Sequence, residues 1–137
     1  MSISRIGAWT CSGVVVVAII AGLALIGMPS EQRFKRLDEK RVADLRRLTS
    51  SLYAYWDTHD TLPLDLDVLL DGQHLSRMPL DPVSSLPYEY QVDAPSRYHL
   101  CARFDRSSSH EETSDFWAHE DGQRCYSFNV AGKTGKN

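Results

Sequence analysis

The longest run of apolar residues in the chain covers residues 6–28 and contains no charged residue. A helix rises about 1.5 Å per residue, so this run would reach about 35 Å, which exceeds the roughly 30 Å hydrocarbon core of a bilayer. We therefore expect a transmembrane helix over 6–28, behind a short N-terminal tail over 1–5. The expected anchor residues are Trp9 near one interface, Val14, Ala18, Gly22 and Ile26.

A cleaved signal peptide is the alternative to an uncleaved anchor. Arg5 supplies a minimal positive charge ahead of the run, and Gly22 with Ala24 offers a weak small-x-small cleavage pattern. The apolar residues continue past that pattern to Met28, which favours the uncleaved anchor. Ala18 and Gly22 also have the small-x-x-x-small spacing at which a second helix could approach.

The next apolar pattern, from residue 31 to about 58, has the spacing of an amphipathic helix. Its apolar residues recur mostly at steps of three and four, with charged residues between them. They are Phe34, Leu37, Val42, Leu45, Leu48, Leu52, Tyr55 and Trp56. We expect this apolar face to belong to the core, and a partner-binding face is the alternative.

A connection rich in proline follows the predicted helix. Asp65 can cap a short second helix that ends at Leu70. The stretch 78–87 is expected to be an ordered loop that packs on the core through Leu80 and Leu86.

Alternation of apolar and polar residues then predicts about three antiparallel strands, over 88–92, 98–104 and 124–130. Cys101 and Cys125 both fall on the face opposite to the apolar one, so their sulfur atoms can meet. We expect a disulfide between them, with two unpaired buried thiols as the alternative.

These patterns together predict an α+β fold: an N-terminal transmembrane helix, a long amphipathic helix and a small antiparallel sheet. The domain is expected to cover 29–131, and a disordered tail is expected over 132–137. A domain of this size has a core of modest stability, so a disulfide would matter to it.

The charge balance argues against nucleic acid as a partner, because 15 Lys and Arg against 18 Asp and Glu give a formal net charge of −3. Basic residues within 33–41 would place the body in the cytoplasm by the positive-inside rule. They alternate with acidic residues as on a solvated helix, and the cysteine pair favours export. We therefore expect a single-pass membrane protein whose C-terminal domain is exported.

The polar stretch 105–122 contains the strongest candidate for a metal site. We expect this stretch to be a solvated polar loop without a metal; the alternative is a calcium site, because its carboxylates are hard oxygen ligands. The weak calcium candidates are Asp105, Glu111, Glu112 and Asp115. His59 and His99 are isolated in the sequence, and no cofactor motif or nucleophile elbow is present. We expect neither a cofactor nor catalysis.

Several short motifs resemble those of type IV pilins and type II secretion pseudopilins. They are Leu52-Tyr53-Ala54-Tyr55, Thr61-Leu62-Pro63, Asp81-Pro82 and Pro87-Tyr88-Glu89-Tyr90. The strand around Cys101, followed by Trp117, His119, Gly122 and Cys125, is also similar to domains of uncharacterised bacterial membrane proteins. The resemblance implies an exported, pseudopilin-like domain, so we expect a single-pass protein of the bacterial inner membrane with its C-terminal domain in the periplasm. Major pseudopilins also hold calcium in a C-terminal loop. The prepilin processing motif is absent, because Gly7 is followed by Ala8-Trp9-Thr10.

The resulting functional hypothesis is a membrane-anchored, non-catalytic accessory or scaffold subunit that binds a protein partner in a membrane assembly. The surfaces expected to meet that partner are the helix from Glu31 and the loop 105–122. A minor pseudopilin-like component of a secretion or pilus system is one alternative. A metal-binding or metal-dependent periplasmic protein is the other.

Overall fold

The computed structural model describes residues 13–23, 29–108 and 115–133. The chain divides into two compact units, Met1–Phe34 and Lys35–Asn137. In the first unit, residues 13–23 are helical (α1), and their valine, isoleucine and leucine side chains are exposed. The long helix α2 covers Pro29–His59.

The predicted transmembrane helix over 6–28 is wrong. Within 13–23, 29–108 and 115–133, the structure contains no helix that is both long and apolar enough to cross a membrane. The inner-membrane, single-pass localisation that rested on this span is wrong with it. Of the expected anchor residues, Val14, Ala18 and Gly22 lie in α1, whereas Trp9 and Ile26 lie outside the described residues.

Helix α2 buries the face that the spacing of its apolar residues predicts, except at Phe34, which is 43% exposed. Val42 is 7% exposed, and Leu45, Leu48 and Leu52 are fully buried. Tyr53, Tyr55 and Trp56 are half-buried at the edge of the same core. Burying a leucine side chain contributes roughly 2 kcal/mol. This face therefore supplies much of the folding free energy of the second unit, which we call the body.

A compact connection links α2 to the sheet. A short 3-10 turn covers Leu66–Leu69, and its cap is the carboxylate of Asp65, which accepts a hydrogen bond from the amide of Asp67 at 3.1 Å. Leu66, Leu69 and Leu75 are buried against the core. These side chains hold the segment 62–75 in place before the loop 80–87 begins.

The sheet has three antiparallel strands in the order β1-β2-β3, which agrees with the sheet that the alternation predicts. The strands cover Glu89–Ala94, Arg97–Phe104 and Gly122–Asn129. The side chains that join α2 in the core are Tyr98, Leu100, Ala102, Phe104, Tyr126 and Phe128, with Val130 just after the last strand.

The opposite face of the sheet carries the disulfide between Cys101 and Cys125. The register places these two residues directly opposite each other on β2 and β3. Their sulfur atoms are bonded at 2.04 Å, and the bond closes the segment between the two strands. In the register, the bonded pair is next to the pair Leu100 and Tyr126, whose side chains are buried in the core on the other face.

Candidate binding surface: the Arg41 cluster and the 80–87 loop

Arg41 joins three separate segments of the body through its guanidinium group. Its side chain is 4% exposed, in the middle of α2. One terminal nitrogen, Nη1, donates to Asp38 Oδ1 and to Asp105 Oδ2, each at 2.6 Å. Its Nε donates to Asp81 Oδ2 at 2.7 Å. The cluster thus connects α2 to the loop before the sheet and to the end of β2.

The guanidinium of Arg41 is the shared cation of three carboxylates. Burial works against a charged Arg41, but its hydrogen bonds with the three carboxylates raise its pKa above the ordinary value. Burial would likewise raise the pKa of Asp81, yet the hydrogen bond from Arg41 and the amides of Ser84 and Val83 lower it to about 2. The carboxylate of Asp38 also accepts from the amides of Asp105 and Arg106, each at 3.0 Å. Removing the shared cation would therefore leave buried carboxylates without their cation, which is strongly destabilising.

Residues 80–87 form a loop, called the 80–87 loop, that is closed by hydrogen bonds between its own residues. Leu80 and Pro87 form an antiparallel bridge at its base, and the amide of Asp81 donates to the carbonyl of Leu86 at 2.9 Å. Asp81 Oδ1 accepts from the amides of Val83 and Ser84 at 3.0 and 2.8 Å. Its other oxygen, Oδ2, binds Arg41. One carboxylate therefore both shapes the loop and attaches it to α2.

This loop presents aliphatic side chains to solvent. Leu80 is 41% exposed, Val83 62% and Leu86 64%. The expectation that Leu80 and Leu86 pack on the core is therefore wrong. The loop is held to the body by the polar contacts of Asp81, so its aliphatic side chains are not needed to anchor it.

A cleft of about 580 Å³ lies beside residues 35–46 of α2. Its lining combines helix residues with residues of the predicted polar loop, among them Glu39, Val42, Arg46, Ser108 and His119. His119 is 8% exposed and stacks on Phe104 with ring centroids 3.7 Å apart. Its Nδ1 is buried without a hydrogen-bond partner among the residues that the structure describes.

The expected calcium ligands are not brought together. Asp105 is ion-paired with Arg41 and lies apart from the other expected ligands. Glu111 and Glu112 lie outside the described residues, as does the side chain of Asp115. In the described ranges, no group of three or more His, Cys, Asp and Glu side chains could hold a metal ion.

Two side-chain groups were not anticipated from the sequence, because their members are far apart in it. On the open sheet face, Ser127 Oγ lies 2.8 Å from His99 Nδ1, and His99 Nε2 contacts Asp93. The register that pairs His99 with Ser127 is the signal that could have revealed this contact. At the C-terminal end of α2, His59 and His74 lie near each other although His59 looks isolated in the sequence.

Comparison with known proteins gives this chain no relative. It matches no protein-family model, no curated protein and no solved structure. The pilin-like resemblance of its short motifs therefore stays a prediction, and the function has to be inferred from the site itself.

Proposed function

We propose that the body, residues 35–133, is a non-catalytic binding domain that serves as an accessory or scaffold subunit of a protein assembly. The observation that supports this is the 80–87 loop, which exposes three aliphatic side chains. Its backbone is closed by hydrogen bonds, and the side chain of Asp81 is ion-paired with Arg41. Single exposed leucines are common on protein surfaces, but several on one ordered loop are typical of an interaction site. The proposed partner is a protein with an apolar recess.

Rigidity is what makes this loop suitable for binding. A flexible loop loses conformational freedom when it binds, at roughly 0.5–1.5 kcal/mol for each immobilised side chain. The hydrogen bonds of Asp81 and the ion pair with Arg41 fix the backbone beforehand. Val83 and Leu86 can then insert into an apolar recess with little ordering of the backbone.

The disulfide supports a function in an oxidising compartment. Such bonds persist where thiols are not kept reduced, and small domains outside reducing compartments often depend on them. Cys125 is exposed on the open face of the sheet, so reductants can reach its sulfur. We propose that the domain functions where this bond stays intact.

A minor pseudopilin-like component of a secretion or pilus system is the second candidate. The order of a long helix, an ordered loop and a three-stranded antiparallel sheet favours it, together with the motifs that resemble pseudopilins. In this case the partners of the 80–87 loop would include other subunits of the same kind. The two candidates differ in whether the contact is made with another protein or with a second copy.

The test compares full-length variants in co-purification from the native host. Val83→Asp combined with Leu86→Asp places two charges on the loop, and we expect at least a tenfold loss of the specifically bound protein. Leu64→Asp is the matched control, because Leu64 is 94% exposed and lies outside the loop. Circular dichroism and melting temperature show that each variant is folded.

The control variant should retain the partner at the wild-type level. If the double variant retains it as well, the 80–87 loop is not the binding surface and the proposed function loses its support. A bound protein that is a differently tagged copy of this chain would favour the pseudopilin-like candidate.

A further inference from the structure

Three side chains on the open face of the sheet form a row, with one residue from each strand. His99 lies in the middle, on β2, and its Nδ1 is 2.8 Å from Ser127 Oγ on β3. Its other ring nitrogen, Nε2, contacts Asp93 Oδ2 on β1. The register pairs His99 directly with Ser127, so the backbone holds these two side chains opposite each other on one face. The row therefore consists of a hydroxyl, an imidazole and a carboxylate, in that order.

An irregularity in β1 carries the carboxylate of this row. The register shifts between Val92 and Ala94, so Asp93 is an extra residue without a paired position on β2. An extra residue of this kind bends a strand and redirects a side chain, and such bulges are frequent beside functional sites. Here the extra residue is the one that contacts His99.

The contacts of His99 decide which of its ring nitrogens carries the proton. A carboxylate can only accept a hydrogen bond, so in the neutral imidazole the proton is on Nε2, facing Asp93. Nδ1 then has the lone pair, and the hydroxyl of Ser127 donates to it. The side chains of His99 and Asp93 are 35% and 34% exposed, and Ser127 is exposed. A base that is itself oriented by a third group is the arrangement that activates a hydroxyl nucleophile.

We propose that Ser127 is a covalent acyl-acceptor site for activated esters, with His99 as its base and Asp93 as the residue that positions His99. In the step, Ser127 Oγ forms a bond to the acyl carbon of the ester, and the bond from that carbon to the leaving oxygen breaks. The leaving oxygen takes the electron pair of the broken bond. The hydroxyl proton passes to Nδ1 of His99, which can return it to the leaving oxygen.

The product of this step is an acyl ester of Ser127. One covalent event per molecule is sufficient, so the site is compatible with a binding domain that carries out no turnover. Ser127 lies outside the 80–87 loop, so acylation and partner binding at that loop can be tested separately.

The test treats the untagged full-length chain with para-nitrophenyl acetate and locates each acetyl group by peptide mass spectrometry. Hydroxylamine distinguishes the products, because it removes acetyl esters from hydroxyl groups and leaves acetyl amides on lysines. In the wild type we expect the ester to form at Ser127 faster than at Ser76 by about tenfold or more, since a positioned base accelerates attack. Ser76 is an exposed serine on a different segment, so it is the internal control, and this comparison requires no variant.

Variants then separate the role of each member of the row. His99→Gln removes the base and should slow acetylation of Ser127 by about tenfold or more. Asp93→Asn should have a similar effect, because an amide can donate to Nε2 and leave the proton on Nδ1, which is the wrong tautomer. Asp93→Glu restores a carboxylate and should recover part of the rate, which a purely structural role of Asp93 does not predict. Arg103→Gln, an exposed position on β2, is the matched control and should react like the wild type.

Circular dichroism shows that each variant is folded before its rate is compared. An ester that forms no faster at Ser127 than at Ser76 in the wild type would overturn the proposal. So would acetyl groups on lysines alone, or equal rates at Ser127 in the wild type and the folded Asp93→Asn protein.

Discussion

Arg41 Nε and Asp81 Oδ2 are 2.7 Å apart, although the residues are separated by 40 positions in the chain. Asp81 Oδ1 accepts the amides that shape the 80–87 loop, while Oδ2 binds the guanidinium on α2. This ion pair therefore links the loop to α2, and disturbing it should affect both stability and partner binding.

Replacing Arg41 with alanine should destabilise the body by about 3–5 kcal/mol, because it leaves buried carboxylates without their cation. Asp38 and Asp81 are the most affected, with side chains only 7% and 15% exposed. Arg47→Ala is the matched control on the exposed side of α2 and should change the free energy of unfolding by less than about 0.5 kcal/mol. Urea unfolding followed by circular dichroism measures both values.

Arg41→Lys should recover only part of this loss, since an ammonium group cannot reproduce the planar fork that contacts three carboxylates. If Arg41→Ala and Arg47→Ala unfold at the same urea concentration, the cluster does not contribute to stability as described here.

Acid should weaken the contribution of Asp81. Its pKa is lowered from 3.8 to about 2 in the folded protein, so its stabilisation is complete above about pH 4 and is lost as the pH falls toward 2. A shift of this size corresponds to about 2 kcal/mol. Asp81→Asn should therefore be less stable than the wild type at pH 7, and the difference should shrink between pH 4 and pH 2. A difference that stays constant over this range would show that Asp81 is not the titrating group.

Reduction of the Cys101–Cys125 disulfide should destabilise the body by about 3 kcal/mol, the loop-closure value for a sequence separation of 24. Thermal melting with and without reductant measures this effect. The paired substitution Cys101→Ala with Cys125→Ala should reproduce it, and the oxidised Cys11→Ser protein should melt like the wild type. Equal melting temperatures with and without reductant would contradict the predicted role of the bond.

The strands and the cysteine pair could be predicted because period-two alternation fixes which residues share a face. Tyr98, Leu100 and Phe104 point to the core, so Cys101 must point away, and the same rule on β3 places Cys125 on that face. The face of α2 from Val42 to Leu52 could be predicted for a similar reason, because its spacing follows the helical period.

The Arg41 cluster and the pair of His59 and His74 could not be predicted, because their members are brought together by packing between distant segments. The sequence predicts that Asp81 belongs to a proline-rich connection and that Leu86, five positions later, packs on the core. A carboxylate that anchors a loop allows nearby aliphatic side chains to stay exposed, and local hydropathy contains no sign of this. The transmembrane prediction is wrong on a separate ground, because the described residues contain no helix that is both long and apolar enough to cross a membrane.

The central claim is that the 80–87 loop contacts a protein partner, and photo-crosslinking from this loop tests it most directly. Benzoylphenylalanine placed at Val83 in the full-length chain is irradiated in the native host, with the same group at Leu64 as the matched control. We predict one discrete adduct with a different protein from position 83 and none of that mass from position 64. The absence of any adduct from position 83, or the same adducts from both positions, would contradict the proposed function.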